Sequence, residues 1–195
     1  MDTQLDRADA AGGAIPTGPA GRAMAQPMEE SLLEGLQEHL TLERRASVAY
    51  WAMALWVAER ELRGFAHYFK QESAKEQAHA ALFADYLLAR GQTVALGDVP
   101  RPRQQWSGLE EIFSAVFQME VDVTTSLQQL YGMAERAGDL RGTVFLDPIV
   151  QGQIAAEHEA AHLLGRVRFA QRDPAALLVL DGELLQDQHA PASMA

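Results

Sequence analysis

The sequence predicts an all-α fold: four long helices packed as a bundle, a long crossover between the second and third, and a short fifth helix near the C-terminal end. Three observations predict it. Apolar residues recur every three or four positions through four separate stretches, the period of a helix face that packs on neighbours. Helix-start and helix-stop residues bracket those stretches. The connections within the first pair and within the second pair are short, whereas the one between the pairs is long.

Taken in order, residues 1–27 (MDTQLDRADAAGGAIPTGPAGRAMAQP) are rich in Ala, Gly and Pro and hold few large apolar side chains. Such a segment buries too little surface to offset its ordering, so a flexible arm is expected, preceding a helical domain over 28–190. Ser31-Leu-Leu-Glu34 and Ser107-Gly-Leu-Glu110 have the spacing of a capping box, in which serine and glutamate reciprocally satisfy free amides at a helix start. They open the first helix, about 31–60, and the third, about 107–137, with Gly138 as the stop of the latter. The second helix covers about 64–90 and stops at Gly91, and the fourth covers about 142–170. Asp173-Pro174 is a cap followed by a first-turn proline and starts a short helix to about Gln186.

At 1.5 Å per residue a helix of roughly 27 residues is about 40 Å long. Only a few residues join the first helix to the second and the third to the fourth, which forces antiparallel neighbours. Gly91 to Trp106, with Pro100 and Pro102, is long enough to travel the length of the bundle. The second and third helices therefore run parallel.

Composition narrows the function. The chain of 195 residues suffices for one domain with a sizeable core, and its 48% hydrophobic but only 7% aromatic content suits helices rich in Ala and Leu. A formal net charge of -11 argues against a nucleic-acid partner, which needs a basic footprint, and is compatible with attraction of cations. With no cysteine, disulfides, thiolate metal sites and thiol nucleophiles are excluded, leaving oxygen and nitrogen ligands. No uninterrupted apolar stretch of about 18 residues predicts a membrane span, and no secretory signal pattern is present, so a cytoplasmic protein is expected.

The apolar seams carry the chemistry. The first helix presents Leu36, Leu40, Glu43, Ser47, Tyr50, Ala54 and Val57; the second presents Phe65, Phe69, Glu72, Glu76, His79, Phe83 and Tyr86. The third sets a single carboxylate, Glu120, among Leu109, Phe113, Val116, Val123, Leu127 and Leu130. An unpaired carboxylate there costs several kcal/mol of desolvation, by the usual estimates of about 3–5 kcal/mol for a broken buried pair, or stays protonated. A bound cation is the economical explanation. The fourth helix reads Leu146, Val150, Gln153, Glu157, Ala160, Leu164 and Val167, and Gln153 stands as far beyond Glu120 as Glu76 stands beyond Glu43. Approximate twofold symmetry is thus expected, broken where Ala156 takes the place that His79 holds in the first half. Glu159-Ala-Ala-His162 repeats the Glu-x-x-His pattern but falls well round the helix from the seam, so it is expected to be exposed or interfacial.

A mid-helix glutamate is usually solvated, and one Glu-x-x-His occurs often by chance. Glu43, Glu76, His79 and Glu120 on the seams of three helices at matching depth are a coincidence that chance does not supply. Tyr50 is a core tyrosine whose hydroxyl lies near that layer, and Phe65, Phe69 and Phe83 are core packing.

On Glu43-Arg-Arg-Ala-Ser-Val-Ala-Tyr50, Glu72-Ser-Ala-Lys-Glu76-Gln-Ala-His79, Gln118-Met-Glu120 and Phe145-Leu-Asp147-Pro with Gln153 and Glu157, the chain resembles the ferritins, specifically the haem-free prokaryotic, cyanobacterial type. The likeness spans about residues 28–185, four motifs in order. The resemblance implies a ferritin-like four-helix bundle and a ferroxidase that oxidises two Fe(II) ions with O2 or H2O2 at a di-iron centre inside each subunit, storing Fe(III) mineral in a hollow homo-oligomeric shell, a 24-mer. Carried over, Glu43 and His79 hold the first iron, Glu76 bridges and Glu120 holds the second. Gln153 matches the family's glutamine, Glu157 one turn on serves a transit or third position, and Tyr50 is an electron donor beside the centre. Glu72 and Asp147 become stations for iron in transit. Gln77 stands where bacterioferritins carry a haem-ligating methionine, so no haem is expected, and Lys75 replaces an acidic residue common in other ferritins.

Two other readings share parts of the pattern. A di-iron or di-manganese carboxylate oxidoreductase or peroxidase favours two Glu-x-x-His motifs, one of which Ala156 interrupts. A DNA-protecting mini-ferritin sets its ligands between subunits and uses a basic tail, whereas the N-terminal arm here carries only Arg7 and Arg22 as positive charges.

Overall fold

The computed structural model describes residues 14–187. Five helices follow in order: α1 Glu30–Ala58, α2 Arg63–Ala89, α3 Leu109–Arg136, α4 Leu140–Phe169 and α5 Pro174–Leu185. Helices α1 and α2 pack along each other, as do α3 and α4; α1 lies against α3, and α5 against α2. Among the described residues no helix is long and apolar enough to cross a membrane.

The stops at Gly91 and Gly138 are as expected: both take positive φ, +77° and +63°, where a Cβ is disfavoured. The starts differ. Glu29 is the cap of α1, its carboxylate accepting from the Leu32 amide at 3.0 Å and from the Ser31 hydroxyl, so Ser31 lies two residues too late for a box with Glu34. At α3 the cap residue is Gly108, no side chain caps the helix, and only the glutamate half of a box forms: the Ser107 amide and hydroxyl both donate to Glu111, at 2.7 and 2.9 Å, while Glu110 faces Arg168. A carboxylate reaches back to the same amide from either position, and the salt bridge with Arg168 takes Glu110 away. Asp173 caps α5 as expected, accepting from Ala175.

The crossover, residues 90–108, runs alongside α1. The Ala95 amide donates to Gln37, Arg44 donates to the Gly97 carbonyl and Arg45 to that of Asp98. It ends where Trp106 meets Trp56 edge to face, centroids 6.0 Å apart. This path returns the chain to the far end, making α2 and α3 parallel.

Of the expected flexible arm, residues 1–13 lie outside the described residues, and 14–27 are tied to the bundle. A turn closes with Gly18 and Arg22 bonded at 2.8 Å, and Arg22 donates to the Leu88 carbonyl at the end of α2. Backbone and arginine hydrogen bonds hold this segment, a contribution that counting apolar residues does not register. Residues 188–190 of the expected domain also lie outside the described residues.

The core divides in two. One cluster gathers Phe65, Phe69, Phe113 and Leu163 and extends to Leu180 and Leu184 of α5; the other gathers Leu32, Leu36, Phe83, Leu127 and Leu146. Helix α5 seals the first end: a Cβ at Gly64 would lie 1.7 Å from the Asp181 carbonyl oxygen, and the Phe65 amide donates to the Asp181 carboxylate. Between the clusters lies a polar layer.

Candidate metal centre

Each long helix contributes to that layer at mid-length. Helical periodicity carries Glu43 and Ser47 of α1, Glu72 and Glu76 of α2, Glu120 of α3 and Gln153 of α4 inward with the leucines above and below them, and all six are buried. Ligand atoms of Glu43, Glu76 and His79 lie within 4.8 Å of one another, a spacing one cation can bridge. Glu76 accepts from or donates to His79 Nδ1 at 3.0 Å. Glu120 is fixed from two sides, Oε1 accepting from the Tyr50 hydroxyl and Oε2 from Gln153 Nε2, each at 2.9 Å.

Glu43, Glu72, Glu76, His79, Glu120 and Gln153 line a cavity of about 420 Å³ that also touches Tyr68, Lys75, Ala156 and Glu159. It reaches the surface past the exposed His79, Lys75 and Leu82 of α2 and Gly152 and Ala155 of α4. A larger pocket of about 510 Å³ between α4 and α5 is lined by Phe169, Val179, Leu180 and other mainly apolar groups and offers no comparable carboxylate set.

Burial pushes the carboxyls of Glu43, Glu72, Glu76 and Glu120 above the ordinary glutamate range, because water is replaced by hydrocarbon and by like charges. His79 is raised, chiefly by its hydrogen bond to Glu76. Among the described residues lining the cavity, Lys75 and His79 are the basic groups, against five glutamates. Oε2 of Glu43 is buried without a hydrogen-bond partner. Such an orphaned oxygen in an acid-rich layer is what hard-ligand coordination would satisfy.

The family described as "Ferritin-like domain" matches residues 33–170, the span that holds all of these groups. The chain belongs to the ferritin family. This ferritin is 28% identical over 130 residues to the bacterial non-heme ferritin of Staphylococcus saprophyticus, covering 67% of the chain and 78% of the relative. To the bacterial non-heme ferritin of Bacteroides fragilis it is 26% identical over 159 residues, covering 82% and 99%. Among solved structures, an open pore ferritin from Archaeoglobus fulgidus superposes with a TM-score of 0.80 at 29% identity over 82% of this chain and 98% of that one. A humanized archaeal ferritin gives 0.81 at 28%, over 85% and 100%. Together these make it a haem-free prokaryotic ferritin, an iron-storage protein with the all-α bundle and short fifth helix expected.

Of the site residues expected from the sequence of this ferritin, Glu43, Glu76, His79, Glu120, Gln153 and Glu72 line the cavity, with Tyr50 directly behind Glu120. Glu157 does not reach it, and Asp147, expected as a transit station toward a pore, lies away from it. Glu157 turns toward α3, where it accepts from the Thr124 hydroxyl, and Asp147 is exposed and accepts from the Tyr131 hydroxyl at 2.9 Å. Glu159, expected outside, lines the cavity instead, on the flank of α4 that faces Tyr68 and Glu72. His39 was not anticipated at all. It is fully buried, with Nε2 2.9 Å from Glu43 Oε1, and burial pushes its pKa down to about 4, leaving the ring neutral. It sits one turn before Glu43, an i, i+4 spacing that a search for acidic ligands passes over.

Proposed function

We propose that this ferritin is a ferroxidase that takes two Fe(II) ions as substrate in the four-helix layer, oxidises them with O2 or H2O2, and passes Fe(III) to a mineral core. One observation carries the reading: four buried glutamates and a histidine from three helices converge on a single cavity holding too few basic groups to neutralise them. Glu43, Glu76 and His79 form one iron position; Glu76, Glu120 and Gln153 form a second beside it. Carboxylates suit both oxidation states, because they are hard oxygen donors that can shift between bridging and terminal modes. Two Fe(II) ions supply the two electrons that reduce O2 to H2O2 with uptake of two protons, or H2O2 to two waters.

The surrounding groups have definite tasks in this reading. Tyr50 and Gln153 hold Glu120 still, and where a single Fe(II) is oxidised the Tyr50 phenol can supply the second electron that takes O2 to H2O2, its proton passing to Glu120 Oε1 and a tyrosyl radical remaining. Burial holds that phenol well above its ordinary pKa, so it stays protonated until oxidised. Glu72 and Glu159 at the cavity wall concentrate cations near the opening, and exposed Asp147, away from this cavity, is a transit station on the way to it. Exposed Trp51 and Leu55 on α1 and Phe169, Leu178 and Val179 at the α4–α5 end are surfaces for subunit contacts in a 24-mer. A cytoplasmic setting, with a reducing supply of Fe(II), fits this chemistry.

The test is aerobic addition of Fe(II) to the purified apoprotein, following ferric absorbance and sedimentation. Rapid oxidation by a large assembly, abolished in Glu76→Ala and His79→Ala, is the expected result. Oxidation indifferent to both substitutions removes the proposed centre.

A further inference from the structure

The buried ring of His39 lies outside the ligand set and has no task in the function proposed above. Three helices enclose it: it springs from α1, the Phe83 ring of α2 packs on it with centroids 4.5 Å apart, and Ser126 Oγ of α3 sits 2.7 Å from Nδ1. Its remaining polar atom, Nε2, lies 2.9 Å from Glu43 Oε1 but too far off the N–H axis for a hydrogen bond, so that nitrogen, like Oε2 of Glu43, is buried without a hydrogen-bond partner. Five polar atoms thus run in sequence from Ser126 Oγ to the orphaned Oε2 of Glu43.

A neutral imidazole has one N–H and one lone pair, and the two ends of this chain decide which nitrogen carries which. A glutamate that binds a cation is deprotonated and can only accept. The nitrogen facing it must then carry the hydrogen. Nδ1 is left as the acceptor, and the Ser126 hydroxyl, free to rotate, donates to it. We propose that His39 is a positioning residue: when Glu43 binds a cation, a small turn of its carboxylate brings Oε1 onto Nε2–H, which Ser126 fixes in that tautomer, and so presents Oε2 alone to the metal. Hydrogen bonds from outside the ligand set fix the tautomer of ligating imidazoles and the orientation of ligating carboxylates at many metal sites. Here such a bond orients a carboxylate.

The inference rests on Glu43 being a ligand, and the experiment separates the two. Co(II) is titrated into apoprotein under argon, reading the d–d spectrum and the binding isotherm for the full-length chain and for His39→Leu, His39→Gln, Ser126→Ala and Glu43→Ala. His39→Leu is expected to weaken the Glu43-dependent position about 10- to 100-fold and shift its spectrum. His39→Gln, whose amide can place an N–H near the same point, is expected to recover most of that loss, and Ser126→Ala to show a smaller loss in the same direction. A purely structural role would lower the melting temperature of His39→Leu and leave affinity and spectrum unmoved, which overturns the proposal. Equal losses in His39→Leu and His39→Gln overturn the N–H donation on which it depends. If the full-length chain and Glu43→Ala bind Co(II) identically, Glu43 is no ligand and the reading beneath falls as well. Should His39→Leu not fold, the Gln and Ser126 variants decide alone: unchanged spectrum and affinity in Ser126→Ala, together with weak binding in His39→Gln, refute the relay.

Discussion

Replacing Glu43 by glutamine should stabilise the metal-free protein while destroying its first metal position. Glu43 is 1% exposed, and one of its oxygens lacks a partner. Leaving a buried polar group unsatisfied costs about 1–3 kcal/mol, more when it is charged. The amide removes the charge, keeps the shape, lets the carbonyl oxygen accept from His39 Nε2 and turns its NH2 toward the Glu76 carboxylate. A gain of about 1–3 kcal/mol corresponds to roughly 2–4 °C per kcal/mol for a domain of this size. The sign of the pH dependence follows from linkage. Burial raises the folded-state pKa of Glu43 above its unfolded value, so the native protein holds more protons than the unfolded chain between the two. Metal-free stability therefore falls as pH rises through that interval, and the full penalty remains above it. Thermal melts in chelator at pH 5 and pH 7, on wild type and Glu43→Gln, test this: the substitution should raise the melting temperature at pH 7 and flatten its fall with pH. Added Co(II) should stabilise wild type more than the variant. A Glu43→Gln protein that is less stable than wild type at pH 7 in chelator would mean that the carboxylate is already compensated within the protein, and the argument for a cation would fail.

The Arg90–Asp139 pair joins the end of α2 to the start of α4 in a buried bidentate contact, at 3.1 and 2.8 Å. Burial opposes the Asp139 charge, but the Arg90 hydrogen bonds and the Gly142 amide outweigh it and depress its pKa, so this stability is present above the unfolded carboxyl range and lost as pH falls through the folded value. Asp139→Ala should cost about 3–5 kcal/mol by denaturant unfolding at neutral pH, the cost of stranding a buried arginine, and wild type should lose the same support in acid. Tyr50→Phe removes one of the two donors that hold Glu120, a hydrogen bond to a charged group worth about 1.5–3 kcal/mol, and should slow Fe(II) oxidation in stopped flow with little change in iron stoichiometry; unchanged kinetics would exclude Tyr50 from the reaction. Glu157→Ala should leave Co(II) binding unaltered, whereas Glu159→Gln should slow Fe(II) uptake most at low ionic strength, where an acidic cavity wall steers cations best. The reverse outcome for that pair would restore Glu157 to the centre.

The difference between Glu157 and Glu159 shows where sequence legibility stops. Two helices announced their inward faces without ambiguity: Glu43 between Leu40 and Ser47, and Glu120 between Val116 and Val123, are each the one carboxylate of a mainly apolar stripe, and the structure buries both. Helix α4 has a wider inward sector, with Leu146, Gln153, Ala160, Leu163, Leu164 and Val167 all buried, so a carboxylate on either flank satisfies the same period. Its two flanks meet different neighbours. One, with Glu157, packs on Thr124 of α3; the other, with Ala156 and Glu159, faces α2 across the cavity. Periodicity fixes which residues of a helix share a side, but not which neighbour lies to the left or right of the seam. That is set by the handedness of the bundle and the path of the crossover. His39 was hidden for a related reason: nothing in its own spacing marks it as polar machinery, and only Ser126 from α3 and Phe83 from α2, distant in sequence, give its two nitrogens their meaning. The ligands of one helix can be read one helix at a time, whereas the residues that orient them belong to contacts between helices.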